Sequence, residues 1–206
     1  MTLDEIFNKH NSDKGSLPGG HCYGKYYEKH LPEQISKFLE IGVWKGGGIR
    51  AFREWYKEEG MFYGLDRFID GHGLITPAEL QALGINCFDV DHDQQWALEL
   101  IKEQFSVIID DASHHHLSQI NIFRRMFVHN LEPGGLYVIE DVFDDPYWGQ
   151  GIITDTKQNI KGLMKKYIKE KNIAGQCISQ EESDRICNLI QDVYLYGEII
   201  FIIKKL

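Results

Sequence analysis

No two cysteines of this chain stand in a CxxC pair; Cys22, Cys87, Cys177 and Cys187 are scattered one by one. That spacing offers neither a thiolate zinc site nor a disulfide framework. It suits free thiols in a reduced, cytoplasmic setting. Long apolar runs are missing too. Nothing approaches the ~20 residues that cross a bilayer, and the start, MTLDEIFNKH, lacks the basic-then-apolar layout of a signal peptide. Membrane insertion is therefore not expected. Positive charge is scarce: 22 Lys and Arg stand against 31 Asp and Glu, a formal net charge of −9. A nucleic-acid binder wants a basic stripe that displaces counterions, so nucleic acid is not an expected partner. The balance suits a site that attracts cations. Repeats and low-complexity linkers are absent, which leaves 206 residues for one domain with at most a small appendage.

What is present alternates. KFLEIGVW, MFYGLDRF, INCFDV, FSVIID and GGLYVIED read as five strands. Between them lie helical patterns: IRAFREWYKEE, TPAELQALG with Thr76 as N-cap and Pro77 at the first helical position, DQQWALELIKEQ, and LSQINIFRRMFVHNL. The last of these puts Leu117, Ile120, Phe123, Met126 and Phe127 on one face. TKQNIKGLMKKYIKE adds a further helix, and RICNLIQDVYLYGEIIFIIKKL reads as two strands turning at Tyr196-Gly197. The expected fold is α/β: a doubly wound, mostly parallel seven-stranded sheet with a C-terminal antiparallel hairpin. Ligands of such sheets bind at the carboxyl ends of the strands. Residues 1–32 do not fit the alternation; NSDKGSLPGGHCYGKYYEKHL, rich in Gly, His and Tyr, reads as an irregular arm or as a lid over a ligand.

The strand ends carry the chemistry. After the first comes EIGVWKGGG, where glycines let backbone approach a ligand at a helix N-terminus. It is not GxGxxG. Glu40 at its head would repel a pyrophosphate and welcome an ammonium or a sulfonium. Asp66 ends the second strand, where an acid meets a ribose diol in nucleotide-binding α/β folds. Asp89 and Asp91 end the third; either could meet an adenine amino group, and Asp91 could equally cap a helix. The fourth and fifth strands end in Asp110-Asp111 and Glu140-Asp141. Carboxylates that close need protonation or a bridging cation, and Mg²⁺, or else Mn²⁺ or Ca²⁺, suits oxygen ligands. Alternating side-chain directions let only some of the four face one site, and Asp110 reads best as a cap or salt-bridge partner. His114, three residues past Asp111, is placed to act as a general base; His115 and His116 read as structural. Tyr147 and Trp148 in DDPYWG offer an apolar wall for a ring.

The set SDKG…HCY…YY, LEIGVWKGGG, YGLD, FSVIIDDASHH and LEPGGLYVIED resembles the metal-dependent S-adenosylmethionine O-methyltransferases that act on sugars. The resemblance runs from about residue 10 to the final hairpin. It implies a Rossmann-like class I methyltransferase domain over residues 33–206 behind an arm or lid of residues 1–32. It implies Glu40, Gly42, Lys45, Gly46 and Gly47 around the methionine end of S-adenosylmethionine, and Asp66 on its ribose. Asp89 and Asp110 are further candidates beside the cofactor. The segment Ser12, Asp13, Lys14 and Gly15, with His21 and Tyr23, falls near cofactor and substrate. Asp111, Glu140 and Asp141 fall on the metal ligands, and His114 on the general base. The expected substrate is a sugar or sugar nucleotide, in an antibiotic or, given the Lys/Ile/Asn-rich composition, a surface-polysaccharide pathway such as capsule synthesis. Three other readings stay open: a metal-assisted methyltransferase of another small hydroxyl compound, a nucleotide-dependent oxidoreductase, and a non-catalytic binder. The edge of the terminal hairpin leaves a homo-oligomer open as well.

Overall fold

The computed structural model describes residues 1–68, 74–143 and 158–206. Tyr147 and Trp148 lie outside the described residues. The strands are β1 (Lys37–Ile41), β2 (Met61–Asp66), β3 (Ile85–Asp89), β4 (Phe105–Asp110), β5 (Leu131–Ile139), β6 (Ile190–Tyr196) and β7 (Ile199–Lys204). They form one seven-stranded sheet in the order β3-β2-β1-β4-β5-β7-β6. β1 to β5 run parallel, and β7 and β6 close the sheet antiparallel. This is the Rossmann-like, doubly wound architecture that the alternation implies.

Both faces are covered, so the central strands are apolar on both sides. Along β1, Phe38 packs with Phe52 and Phe62 on one face, while Leu39 packs with Ile108 and Tyr137 on the other. Helices α3 (Gly47–Trp55), α4 (Pro77–Ala82), α5 (Gln95–Leu98), α6 (His116–His129), α7 (Ile160–Glu170) and α8 (Gln180–Leu189) supply most of the cover. Thr76 caps α4 by accepting from the Glu79 N–H, with Pro77 at the first helical position. In α6, Ile120, Phe123, Met126 and Phe127 are buried as the periodicity requires, and Leu117 is half-buried. Among the described residues no helix is long and apolar enough to cross a membrane.

Three elements differ from the expectation. The arm is not irregular: it holds α1 (Leu3–Lys9) and α2 (Gly24–His30). Phe7 of α1, Tyr27 of α2 and Phe52 of α3 meet edge-on with ring centroids 5.0–5.9 Å apart, so the arm shares the core of the sheet. The helix expected over DQQWALELIKEQ shrinks to the single turn of α5, and Trp96 and Leu100 stay exposed. The first residues of the expected terminal hairpin, Arg185–Leu189, instead finish α8, which buries Ile186.

Registry decides what the sheet presents. Ile41 lies opposite Asp110, and Asp110 opposite Ile139. The ladder runs one residue further: the Asp111 N–H donates to the Ile41 carbonyl (2.9 Å) and the Glu140 N–H to the Asp110 carbonyl (3.0 Å). Gly42, Asp111 and Glu140 therefore leave the sheet side by side. The Gln119 side chain of α6 donates to the Glu140 carbonyl (3.0 Å) and pins the end of β5.

Candidate active site

Strand alternation sorts the acids. Glu40 lies two residues past Phe38, and Glu140 two past Val138, so both project into the layer of α1, α2 and α3. Asp110 lies two past Ile108 and projects into the opposite layer, where it accepts from the Tyr137 hydroxyl (3.3 Å). Its other oxygen is buried without a partner. Burial pushes the Asp110 carboxyl up to about 8.

The arm meets these acids from above. Lys14, in the loop between α1 and α2, is 2% exposed. Its ammonium pairs with the carboxylates of Asp111 and Glu140 (the latter at 2.8 Å) and stands 3.6 Å from Glu40. Burial pulls the ammonium down, but Asp111, Glu140 and Glu40 outweigh it and hold it well above the usual lysine value. The Tyr27 hydroxyl donates to the other oxygen of Glu140, and the Tyr23 hydroxyl to Asp141 (2.7 Å). Glu40 is held less well. Its Oε2 is buried without a hydrogen bond, and burial, against the pull of Lys14, pushes its carboxyl up to about 8.

The glycine loop is shaped mainly by close protein contacts. Gly42 has φ +86°, and a Cβ there would overlap the Asp111 carbonyl. A Cβ on Gly48 would strike the Glu40 carboxylate and the Lys14 stem, and one on Gly47 would stand 3.1 Å from Ser12 Cα. Gly46, at φ +74°, opens α3. Asp66 closes the loop from β2: its Oδ2 accepts from the N–H groups of Val43 (2.8 Å) and Trp44 (3.0 Å), and its Oδ1 from that of Arg67 (2.7 Å). That fills three of roughly four acceptor sites of a carboxylate.

Two cavities lie along these strand ends. The larger, about 360 Å³, is lined by Asp13, Gly42, Trp44, Asp66, His92, Asp111, His114 and Asp141 among others. A small one, about 20 Å³, is lined by Ser12, Lys14, Glu40 and Gly48 and shares Asp13, Gly42, Trp44 and Asp111 with the first. One ligand atom each from Asp111, His114 and Asp141 lies within 4.8 Å of the others, close enough to surround one metal ion. His114 and Asp141 both have left-handed backbones, φ +56° and +51°. Non-glycine residues hold that conformation at a cost on the order of 1 kcal/mol each. The His114 Nε2 stands 3.8 Å from Asp141. A second group that could hold an ion, His21, Asp141 and Glu198, adjoins it.

The structure thus brings together Ser12, Asp13, Glu40, Gly42, Lys45, Gly47, Asp66, Asp111, His114 and Asp141, with Tyr23 behind Asp141. Glu140, expected beside Asp111 and Asp141 as a metal ligand, shares the Lys14 ammonium with Asp111 and accepts from Tyr27 on its other oxygen. Lys45 lines the small cavity, with its ammonium 4.2 Å over the Trp44 ring. Other candidates lie elsewhere. Asp89 is exposed at the end of β3, Asp91 accepts from the Asp93 N–H (3.1 Å), and Asp110 lines neither cavity. Two residues escaped the sequence reading, Tyr27 and His92, and Lys14 entered it only within the segment Ser12 to Gly15, with no role of its own. His92 lines the larger cavity, is 6% exposed, and has no hydrogen bond on either ring nitrogen. The only signals for them were SDKG and YY in the arm and the run DVDHD, none of which shows burial.

Fold and strand-end acids together define a Rossmann-like domain of the kind that methyltransferases use. No family model matches the chain. Among curated proteins it is 30% identical to mycinamicin VI 2''-O-methyltransferase of Micromonospora griseorubida, over 72% of this chain and 39% of that protein. It is 32% identical to demethylmacrocin O-methyltransferase of Streptomyces fradiae, over 71% and 37% respectively. The chain thus spans about two fifths of the length of these relatives. The solved structure of the MycE methyltransferase, in complex with Mg, SAH and mycinamycin VI, superposes with a TM-score of 0.76 at 25% identity, covering all of this chain and 54% of that one. The resemblance read from the motifs therefore holds: the relatives are O-methyltransferases of antibiotic pathways, and the fold is shared with MycE.

Proposed function

We propose that the chain is an S-adenosylmethionine- and divalent-cation-dependent O-methyltransferase acting on a sugar hydroxyl. One observation supports this above the others. Glu40, Asp111, Glu140 and Asp141 crowd the strand ends beside Lys14, the one lysine or arginine paired with them among the described residues. Such a surplus of buried carboxylate calls for more positive charge. A sulfonium with its ammonium, and a hard cation, supply it.

The donors fit both groups. The unpartnered Glu40 Oε2 beside the small cavity suits an ammonium donor and so supports a methionine end bound at Glu40, Ser12, Asp13 and Gly42. Asp66 keeps acceptor capacity for a ribose hydroxyl, and the neutral imidazole of His92, whose pKa burial lowers, offers a donor and an acceptor further along the wall. Asp111 and Asp141 would hold the cation, with Glu140 beside Asp111 as the third carboxylate; Mg²⁺ takes oxygen ligands and fills the rest of its shell with substrate and water, so it is the first choice over Mn²⁺ or Ca²⁺. When bound, the cation lowers the pKa of a hydroxyl that it contacts. Methyl transfer from a sulfonium to a hydroxyl releases one proton, and His114, on the rim between Asp111 and Asp141, is placed to accept it. Residues 1–32 act as an arm that walls the site, and residues 33–206 as the methyltransferase domain. The names of the relatives favour a glycosylated small molecule as substrate; a sugar nucleotide of surface-polysaccharide synthesis is the second candidate.

The test is calorimetric titration with S-adenosylhomocysteine, with and without Mg²⁺, and with NAD as a control. Binding of S-adenosylhomocysteine but not NAD is expected, followed by a methyl-sized mass gain on a sugar acceptor. Absence of S-adenosylhomocysteine binding would remove the reading.

A further inference from the structure

The helices that cover the sheet face opposite the arm enclose a groove of about 400 Å³, which shares no lining residue with the two strand-end cavities. Arg125 and His129, four residues apart on one stripe of α6, line it together with Arg124. Glu182 and Arg185 line it from α8, and Glu99 and Lys102 from the end of α5. The chain as a whole has 22 Lys and Arg against 31 Asp and Glu, and the groove reverses that balance: four lysines and arginines face two glutamates. The glutamates do not neutralise it. Glu182 is spent on Arg124, which donates to it from Nε (2.6 Å) and Nη2 (2.7 Å), and Arg185 stands off at 4.0 Å. Lys102 donates to the Glu99 backbone carbonyl (2.6 Å). Arg125 has no carboxylate paired with it among the described residues, and its Nε is shielded from water without a hydrogen bond. The ring of His129 registers the surplus: burial first, then Arg125, Arg185 and Lys204, hold it below the usual histidine value.

We propose that this groove binds a small diphosphate anion, of the pyrophosphate or nucleoside-diphosphate class. A guanidinium gives phosphate a planar two-point grip, and Arg125 and Arg185 hold theirs uncommitted. Two linked phosphoryl groups bring the charge that four cations call for; a single carboxylate does not. The volume is that of a small-molecule site. Nucleic acid fits less well, because it wants an extended basic stripe and the chain carries a net charge of −9. The strand ends are closed to such an anion, since their carboxylates repel it, and the groove lies beyond the first turn of α6, away from them. The inference stands independently of the methyltransferase reading.

The test is calorimetric titration of pyrophosphate and of uridine diphosphate into metal-free protein at ~0.15 M salt. Orthophosphate, sulfate and a short single-stranded oligonucleotide serve as comparisons, and thermal melting verifies folding. Either diphosphate should bind about ten-fold more tightly than orthophosphate or sulfate. Arg125→Gln and Arg185→Gln should each weaken that binding about ten-fold, whereas Lys57→Gln, which removes the same charge outside the groove, should leave it within about two-fold. Should one arginine variant not fold, the other decides. Equal affinity for the two diphosphates would mean that the groove reads phosphate alone, and tighter binding of uridine diphosphate that it also reads the organic part; both uphold the site. Absence of diphosphate binding, binding no tighter than that of sulfate, or binding that survives both arginine variants overturns the proposal. So does a loss as large in Lys57→Gln. An oligonucleotide that binds more tightly than either diphosphate would reassign the groove to nucleic acid and overturn it as well.

Discussion

Asp66 and Val43 are 23 positions apart, yet the Asp66 carboxylate accepts the Val43 N–H at 2.8 Å and the neighbouring Trp44 N–H at 3.0 Å. The acid at the end of β2 thus folds the loop after β1, and any contact it makes with a ligand is a second duty. Asp66→Ala should show both. Three N–H groups, those of Val43, Trp44 and Arg67, lose their acceptor, which costs about 1–3 kcal/mol where they are shielded from water, and affinity for S-adenosylhomocysteine should fall at least ten-fold. Urea unfolding and calorimetry separate the two. A stable variant with unchanged affinity would show that Asp66 does neither.

Gly42 and Gly19 make an internal comparison. Both have positive φ, +86° and +88°. A methyl group at Gly42 would overlap the Asp111 carbonyl, whereas one at Gly19 meets nothing within 4 Å. Gly19→Ala should cost only the left-handed strain, about 1 kcal/mol. Gly42→Ala adds overpacking and should cost about 2–5 kcal/mol in the same urea experiment. Equal losses would contradict the close approach of the two loops.

Much of this was legible in the chain. The apolar runs of β1, β4 and β5 announce a sheet buried on both faces. Period-two alternation already sets Asp110 apart from Asp111. Thr76-Pro77 announces a helix start through local chemistry alone. Lys14 was not legible as a buried cation. A lysine in a glycine-rich loop has no period to read, and its burial is created by Phe7 and Tyr27 docking on Phe52, contacts that no local pattern encodes. The meeting of Glu140 with that lysine is hidden for the same reason. It follows from the side on which the arm packs.

Glu40 gives a pH prediction. Its carboxyl is raised from an ordinary value of 4.5 to about 8, chiefly by burial. The folded state therefore holds a proton that the unfolded state has released, and between those pH values stability falls as pH rises, by at most about 1.4 kcal/mol per unit. Cofactor-free protein should melt progressively lower from pH 5 to 8. Glu40→Gln cannot release the proton and should make that part of the profile less steep, the equally raised Asp110 carboxyl keeping the remainder. Parallel profiles for the two proteins would place the titration elsewhere.

Adjacent residues, Asp110 and Asp111, should respond in opposite ways to the same change. Asp110 is buried with the carboxyl raised to about 8, so near pH 7 it is already mostly protonated. Asparagine is neutral, close in shape, and able to accept from the Tyr137 hydroxyl. Asp110→Asn should keep stability within about 1 kcal/mol and leave Mg²⁺ affinity within about two-fold. Asp111→Asn removes a charge that both Lys14 and the cation cluster use. It should lower Mg²⁺ affinity at least ten-fold and abolish most methyl transfer. Binding of S-adenosylhomocysteine without Mg²⁺ should persist, since Glu40 and Asp66 are untouched. Calorimetry on both variants is decisive: if Asp110→Asn loses Mg²⁺ and Asp111→Asn does not, then the alternation of β4 has been read one residue out of phase.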